Sequence, residues 1–176
     1  MKFFVPAVAF AALAFVTATP SFAALKVGDT APDFQLQAAK NGTVSTFSLK
    51  AALKKGPVVV YFYPKAFTSG CSLEAHDFSE AMPQFTRKHV TVIGVSADQI
   101  GVLKDFSKKD CAGKFPVAAD PDMVAAIQYD AKIPFTPMAN RISYVVGRDG
   151  KIAFVHEDRD ASTHVSSLLA AVGAGK

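Results

Sequence analysis

"VVVYFYPKAFTSGCSLEAHDF", residues 58 to 78, decides how this chain is read. It opens with a continuous β-branched and aromatic run, the composition of a strand buried on both faces. Residues 64 to 70 then bring Pro, Thr, Ser and Gly, which are loop and turn residues, and a helical pattern begins near Ser72. Cys71, one of only two cysteines, falls at that junction. Unpaired N–H groups and the positive end of the macrodipole favour an anion at a helix start, and both raise the thiolate fraction of a cysteine there. Thr68 lies three residues earlier, within reach of the sulfur or of an oxygen beside it. Pro64 fixes φ, removes a donor and stiffens the loop. Glu74 lies one turn on, where it can anchor a basic residue. Singly, each residue has an ordinary explanation: a small buried hydrophobe, a turn residue, a cap. Together, Pro-x-x-x-Thr-x-x-Cys-x-x-Glu on a strand–loop–helix is far more specific.

Before this stretch, "GDTAPDFQLQ" leads into a strand around Phe34 to Gln37, and "KNG" at 40 to 42 turns the chain into a hairpin partner at Thr43 to Phe47. After it, Leu73, Phe78, Met82 and Phe85 line one helical face, on which Pro83 is expected to kink or restart the helix. "VTVIGVS" reads as a second buried strand, and Asp98 as the cap of a helix carrying Ile100, Leu103 and Phe106. A short strand near Phe115 to Ala118, a helix from about Pro121 to Tyr129 and the Pro-broken loop "KIPFTPMAN" follow. "RISYVV" and "KIAFVHE" form a hairpin through Gly147 to Gly150, and Ser162 or Thr163 starts the last helix. This order predicts a central mixed β-sheet flanked by helices, with an N-terminal β-hairpin, in the manner of a thioredoxin-like fold. Element order alone fits other three-layer α/β folds too.

The composition is that of one globular domain: 176 residues, half of them apolar, 15 Phe and a formal charge of +4. So small and dispersed an excess is a poor signature for nucleic acid or an acidic membrane surface, and neither is expected as a partner. Residues 1–23 carry Lys2, an uncharged run from Phe3 to Val16, a break at 17 to 20 and small residues before Ala23. That is the layout of a cleaved secretory signal peptide, with an anchor disfavoured by the short run. The expected domain is therefore 24–176, in a periplasmic or secreted location and off the membrane after cleavage. In such an oxidising space Cys71 and Cys111 allow one intramolecular pairing, structural or catalytic. No C-x-x-C, H-E-x-x-H or zinc-like spacing is present, so no metal is implied.

Residues 62 to 78 resemble the active-site segment of peroxiredoxins, with Pro64, Thr68 and Cys71 at the three signature positions. "VGDTAPDFQL" is similar to the family's opening and "PQFTRKHVTVIGVSAD" to the segment after the active-site helix. "NRISYVVGRDGKIAFVHED" resembles the hairpin bearing the family's arginine, here Arg141. The resemblance spans nearly all of the chain after residue 23, and its "FYPKxFTxGC" flavour points to the Q-type branch related to bacterioferritin-comigratory protein. It implies a thiol peroxidase for hydrogen peroxide and organic hydroperoxides, needing no metal, haem or flavin. The Cys71 thiolate would attack one peroxide oxygen and become a sulfenic acid. The Arg141 guanidinium would stabilise the thiolate and hold the peroxide with Thr68.

Many Q-type members carry a second cysteine five residues after the first, where this chain has His76, to which no catalytic role is given. The remaining candidate for resolving the sulfenic acid is Cys111, in "FSKKDCAGKF", whose polar and breaker-rich surroundings predict an exposed, mobile site. A thioredoxin-like reductant is the implied partner. With no long C-terminal arm bearing another cysteine, a monomer or weak dimer is expected. Two other readings stand beside this one. A thioredoxin-like thiol–disulfide oxidoreductase lacks its C-x-x-C. A non-catalytic exported binding module would use Cys71–Cys111 as a staple worth roughly 4 kcal/mol.

Overall fold

The computed structural model describes residues 24–174. Residues 1–23, where the signal peptide is expected, lie outside it. One seven-stranded sheet organises the chain, in the order β2-β1-β5-β4-β3-β6-β7. The strands are β1 (Gln35–Lys40), β2 (Thr43–Ser48), β3 (Val58–Phe62), β4 (Thr91–Ser96), β5 (Val117–Ala119), β6 (Ile142–Val146) and β7 (Ile152–Glu157). β3 pairs parallel with β4, and β4 with β5, while the other neighbours are antiparallel. The mixed sheet, the N-terminal hairpin and the hairpin through Gly147 to Gly150 are as the sequence predicts.

Every residue of β3 is buried, as its unbroken apolar run requires. Side chains alternate across the sheet, so Val59 and Tyr61 join one core half and Val58, Val60 and Phe62 the other. The first half is covered by α2 (Ser69–Arg87), α3 (Ile100–Lys109) and α5 (His164–Ala174). The second is covered by α1 (Leu49–Leu53) and α4 (Val124–Gln128), with Tyr129 packed between Phe34, Phe62 and Tyr144. Gly94 of β4 leaves room for the Tyr61 ring, whose Cζ would lie 2.6 Å from an added Cβ.

Several local expectations are corrected. α2 runs through Pro83 as one element instead of restarting there. Asp98 does not cap α3; Gln99 holds that position without a side-chain bond, and Asp98 points elsewhere. α4 starts only at Val124, because Met123 sits in the left-handed region at φ 57°. The last helix is entered through a 3₁₀ turn, Ala161–Thr163, capped by Asp160.

Candidate active site

The loop after β3 and the start of β6 meet because of strand register. Phe62 pairs with Ile142, so Arg141 arrives beside the chain just as it leaves β3 for Pro64. Thr68 is the N-cap residue of α2, and Cys71 is the third residue of the helix rather than its last flanking residue. The first bond into the helix runs from the Ser72 N–H to the Thr68 carbonyl at 2.8 Å, so the N–H groups of Ser69, Gly70 and Cys71 precede the ladder. These groups and the dipole lie next to the sulfur of a residue that is only 2% exposed.

Arg141 bridges the two acidic partners. Its Nη2 donates to Cys71 Sγ at 3.4 Å, and its Nη1 donates to Glu74 Oε2. Glu74 is completely buried, and burial lifts its carboxyl to about 8 despite the opposing pull of Arg141. Burial acts to lower Arg141, but Glu74 and Cys71 more than offset that, so the guanidinium stays charged. Gly70 completes the contact: a Cβ there would sit 3.1 Å from Arg141 Nη2. A cavity of about 430 Å³ opens onto Pro64 and Arg141 and is lined also by Lys132, Ile133, Asn140 and Arg159.

Two sequence expectations change. The Thr68 hydroxyl does not donate to the sulfur; it donates to the Lys65 carbonyl at 2.9 Å, which leaves its oxygen free to accept. Cys111 is not exposed but fully buried, and burial pushes its thiol well above the usual cysteine range. Its N–H bonds the Phe106 carbonyl at 3.2 Å, and the left-handed pair Ala112 and Gly113 wraps the chain back. That turn points the sulfur into the layer holding Phe106, Phe115, Tyr63 and Cys71, while the polar neighbours face outward. Both cysteines are free thiols. Pro64, Thr68, Cys71, Glu74 and Arg141 thus gather at one place, with Cys111 in the same core half behind them.

Sequence reasoning missed three supporting residues. Asp98 Oδ2 accepts from the Ala66 N–H at 2.7 Å and from Ser96 Oγ at 2.9 Å, fixing the active-site loop to the end of β4. Ser143 and His164 lie behind Glu74, with Ser143 Oγ 2.8 Å from His164 Nδ1. Ser143 lies two residues after Arg141, near the start of β6, and that proximity in sequence was its one usable signal. Among the described residues there is no cluster of potential metal ligands and no helix long and apolar enough to cross a membrane.

Known proteins are similar to this chain along most of its length. The AhpC/TSA family matches residues 27–155. A putative peroxiredoxin of Mycobacterium tuberculosis is 35% identical over 151 residues, covering 82% of this chain and 92% of its own. The peroxiredoxin Bcp of Escherichia coli is 32% identical, covering 82% of this chain and 94% of its own. The crystal structure of peroxidoxin BcpB from Mycobacterium tuberculosis superposes with a TM-score of 0.79 at 28% identity, covering 86% of this chain and 99% of that one. A match of this extent, on a fold that brings Cys71 against Arg141, makes the chain a member of the AhpC/TSA family, the peroxiredoxins.

Proposed function

We propose that the chain reduces hydroperoxides at Cys71. The observation that carries this reading is the Arg141 guanidinium shared between the Cys71 sulfur and buried Glu74. The thiolate attacks the nearer peroxide oxygen and the O–O bond breaks. With one proton taken up, the products are a Cys71 sulfenic acid and water or an alcohol. Arg141 stabilises charge on both oxygens in line, and the Thr68 oxygen accepts the peroxide O–H. Pro64 walls the loop on the cavity side.

Cys111 then condenses with the sulfenic acid, forming an intramolecular disulfide and releasing water. In this reading the end of α3 opens to let the buried Cys111 sulfur reach Cys71, with the two Cα atoms within about 7 Å as a disulfide requires. A thioredoxin-like dithiol returns the disulfide to two thiols. The enzyme acts as a monomer or weak dimer in the periplasm or outside the cell, after removal of residues 1–23.

Stopped-flow peroxide consumption by the wild type and Cys71→Ser tests the first step, and the variant is expected to be inactive. Mass spectrometry of the peroxide-treated wild type and Cys111→Ser tests the second. Intramolecular cross-linking absent from the wild type, or turnover unchanged in the variant, removes the resolving role. Cell fractionation with N-terminal sequencing tests export.

A further inference from the structure

Behind Arg141 lies a carboxylate oxygen to which the peroxide step at Cys71 assigns no task. Glu74 gives Oε2 to Arg141, while Oε1 has no hydrogen-bond donor among the described residues, although the side chain is fully buried. Such an oxygen is costly to bury, most of all when ionised. Facing it at 3.6 Å is Nδ1 of His164, the first residue of α5 and itself fully buried. That separation is slightly too long for a hydrogen bond, but well within reach of charge coupling.

The His164 ring is held so that it can be neutral or charged. Nε2 lies 2.9 Å from the Asp158 carbonyl oxygen, which can only accept, so Nε2 carries hydrogen. Nδ1 lies 2.8 Å from Ser143 Oγ. A hydroxyl donates to a bare Nδ1 and accepts from a protonated one, so the ring gains a proton without losing a partner. Burial draws His164 below its ordinary range while lifting Glu74. The other groups around the pair are Tyr61 of β3, Asp77 of α2, Arg141 before β6, His156 of β7, and Asp158 and Asp160 after β7. The His156 ring stands edge-on to His164 at 4.7 Å and is tied to Thr163, which also bonds Asp158.

Ionised Cys71, charged Arg141, ionised Glu74 and neutral His164 would leave one uncompensated negative charge in a buried cluster. A proton on either the Glu74–His164 pair or the sulfur removes it. We propose that Glu74 and His164 together hold a single exchangeable proton behind Arg141, in reciprocal balance with the Cys71 thiol. The pair takes up a proton when the sulfur ionises and releases it when the sulfur becomes neutral. His164 is a positioning residue here, acting on the sulfur through Glu74 and Arg141. The inference rests on Cys71 being the reacting thiol, but its test involves no peroxide.

Carboxyl ¹³C and ring ¹⁵N NMR of the reduced full chain follow the proton on Glu74 and His164. In Cys71→Ser, where no thiolate can form, the pair is expected to lose its proton about one pH unit lower than in the wild type. Coupling is mutual. His164→Asn is therefore expected to move the ultraviolet thiolate transition to higher pH, and to have no such effect in a Glu74→Gln background. Identical proton loss in the wild type and Cys71→Ser overturns the proposal. So does a His164→Asn shift of equal size in both backgrounds, which is what a residue that merely packs would give. If both titrations behave as expected while peroxide turnover is absent, the peroxidase reading fails and the proton balance stands.

Discussion

Ala66 donates its backbone N–H to the Asp98 carboxylate across 2.7 Å, so the loop leading to Cys71 hangs from the far end of β4. Ala66 is buried, and losing this acceptor strands its N–H away from water. Asp98→Ala is therefore expected to cost about 1–3 kcal/mol in urea unfolding and to slow peroxide consumption. Asp98→Asn, which keeps an acceptor, should retain more of both. Equal stability of the wild type and the alanine variant would show that the loop holds its shape without the carboxylate.

Gly70 offers a way to move Arg141 without touching its charge. The added Cβ of Gly70→Ala would stand 3.1 Å from Nη2, tight enough to push the guanidinium by a few tenths of an ångström from its place beside Cys71. The expected result is a fall of about ten- to a hundredfold in the rate of peroxide reaction, with little change in unfolding midpoint. Arg141→Lys should be at least as slow, because an ammonium cannot fork between Cys71 and Glu74. A Gly70→Ala variant with wild-type kinetics would mean that the guanidinium tolerates the intrusion.

Glu74 links stability to pH. Its carboxyl is raised by burial to about 8 in the folded chain, against an ordinary value of 4.5 when unfolded. Between these values the folded state binds more protons, so its contribution to stability is complete below pH 4.5 and lost as the pH rises through 8. The wild type should accordingly lose urea resistance across that window relative to Glu74→Gln, which cannot ionise. Parallel curves for the two proteins would place the carboxyl in its ordinary range.

Cys111 should behave as a core thiol. With the sulfur fully buried and its ionisation suppressed by burial, alkylation of the reduced native protein is expected to be slow at Cys111 and complete on denaturation. Cys111 labelling measured by peptide mass spectrometry checks this, and labelling as fast as that of a free small thiol would show that the end of α3 opens readily.

The parts legible in the sequence were those encoded over short distances. The run at 58 to 62 announces a buried strand because all five residues are apolar and mostly β-branched. Thr68 and Cys71 stand together on one helix start for the same local reason. Arg141 was reached only through the family resemblance, since its approach depends on β3–β6 register. Asp98 reads locally as a cap, yet its carboxylate is taken by a loop distant in sequence. Cys111 shows the limit of neighbour composition: Lys108, Lys109 and Lys114 are polar, but the turn at Ala112 and Gly113 decides which way the sulfur faces. His164 and Ser143 come from different elements, and nothing in their own segments marks the pairing.

Cys71 and Cys111 belong to the same packed layer beneath α2 and α3. An enzyme that closed a disulfide between them would dismantle part of its own interior once per turnover, so the reduced molecule would be the compact one. Limited proteolysis of the oxidised and reduced protein would read that difference directly, with the reduced form expected to resist cutting longer.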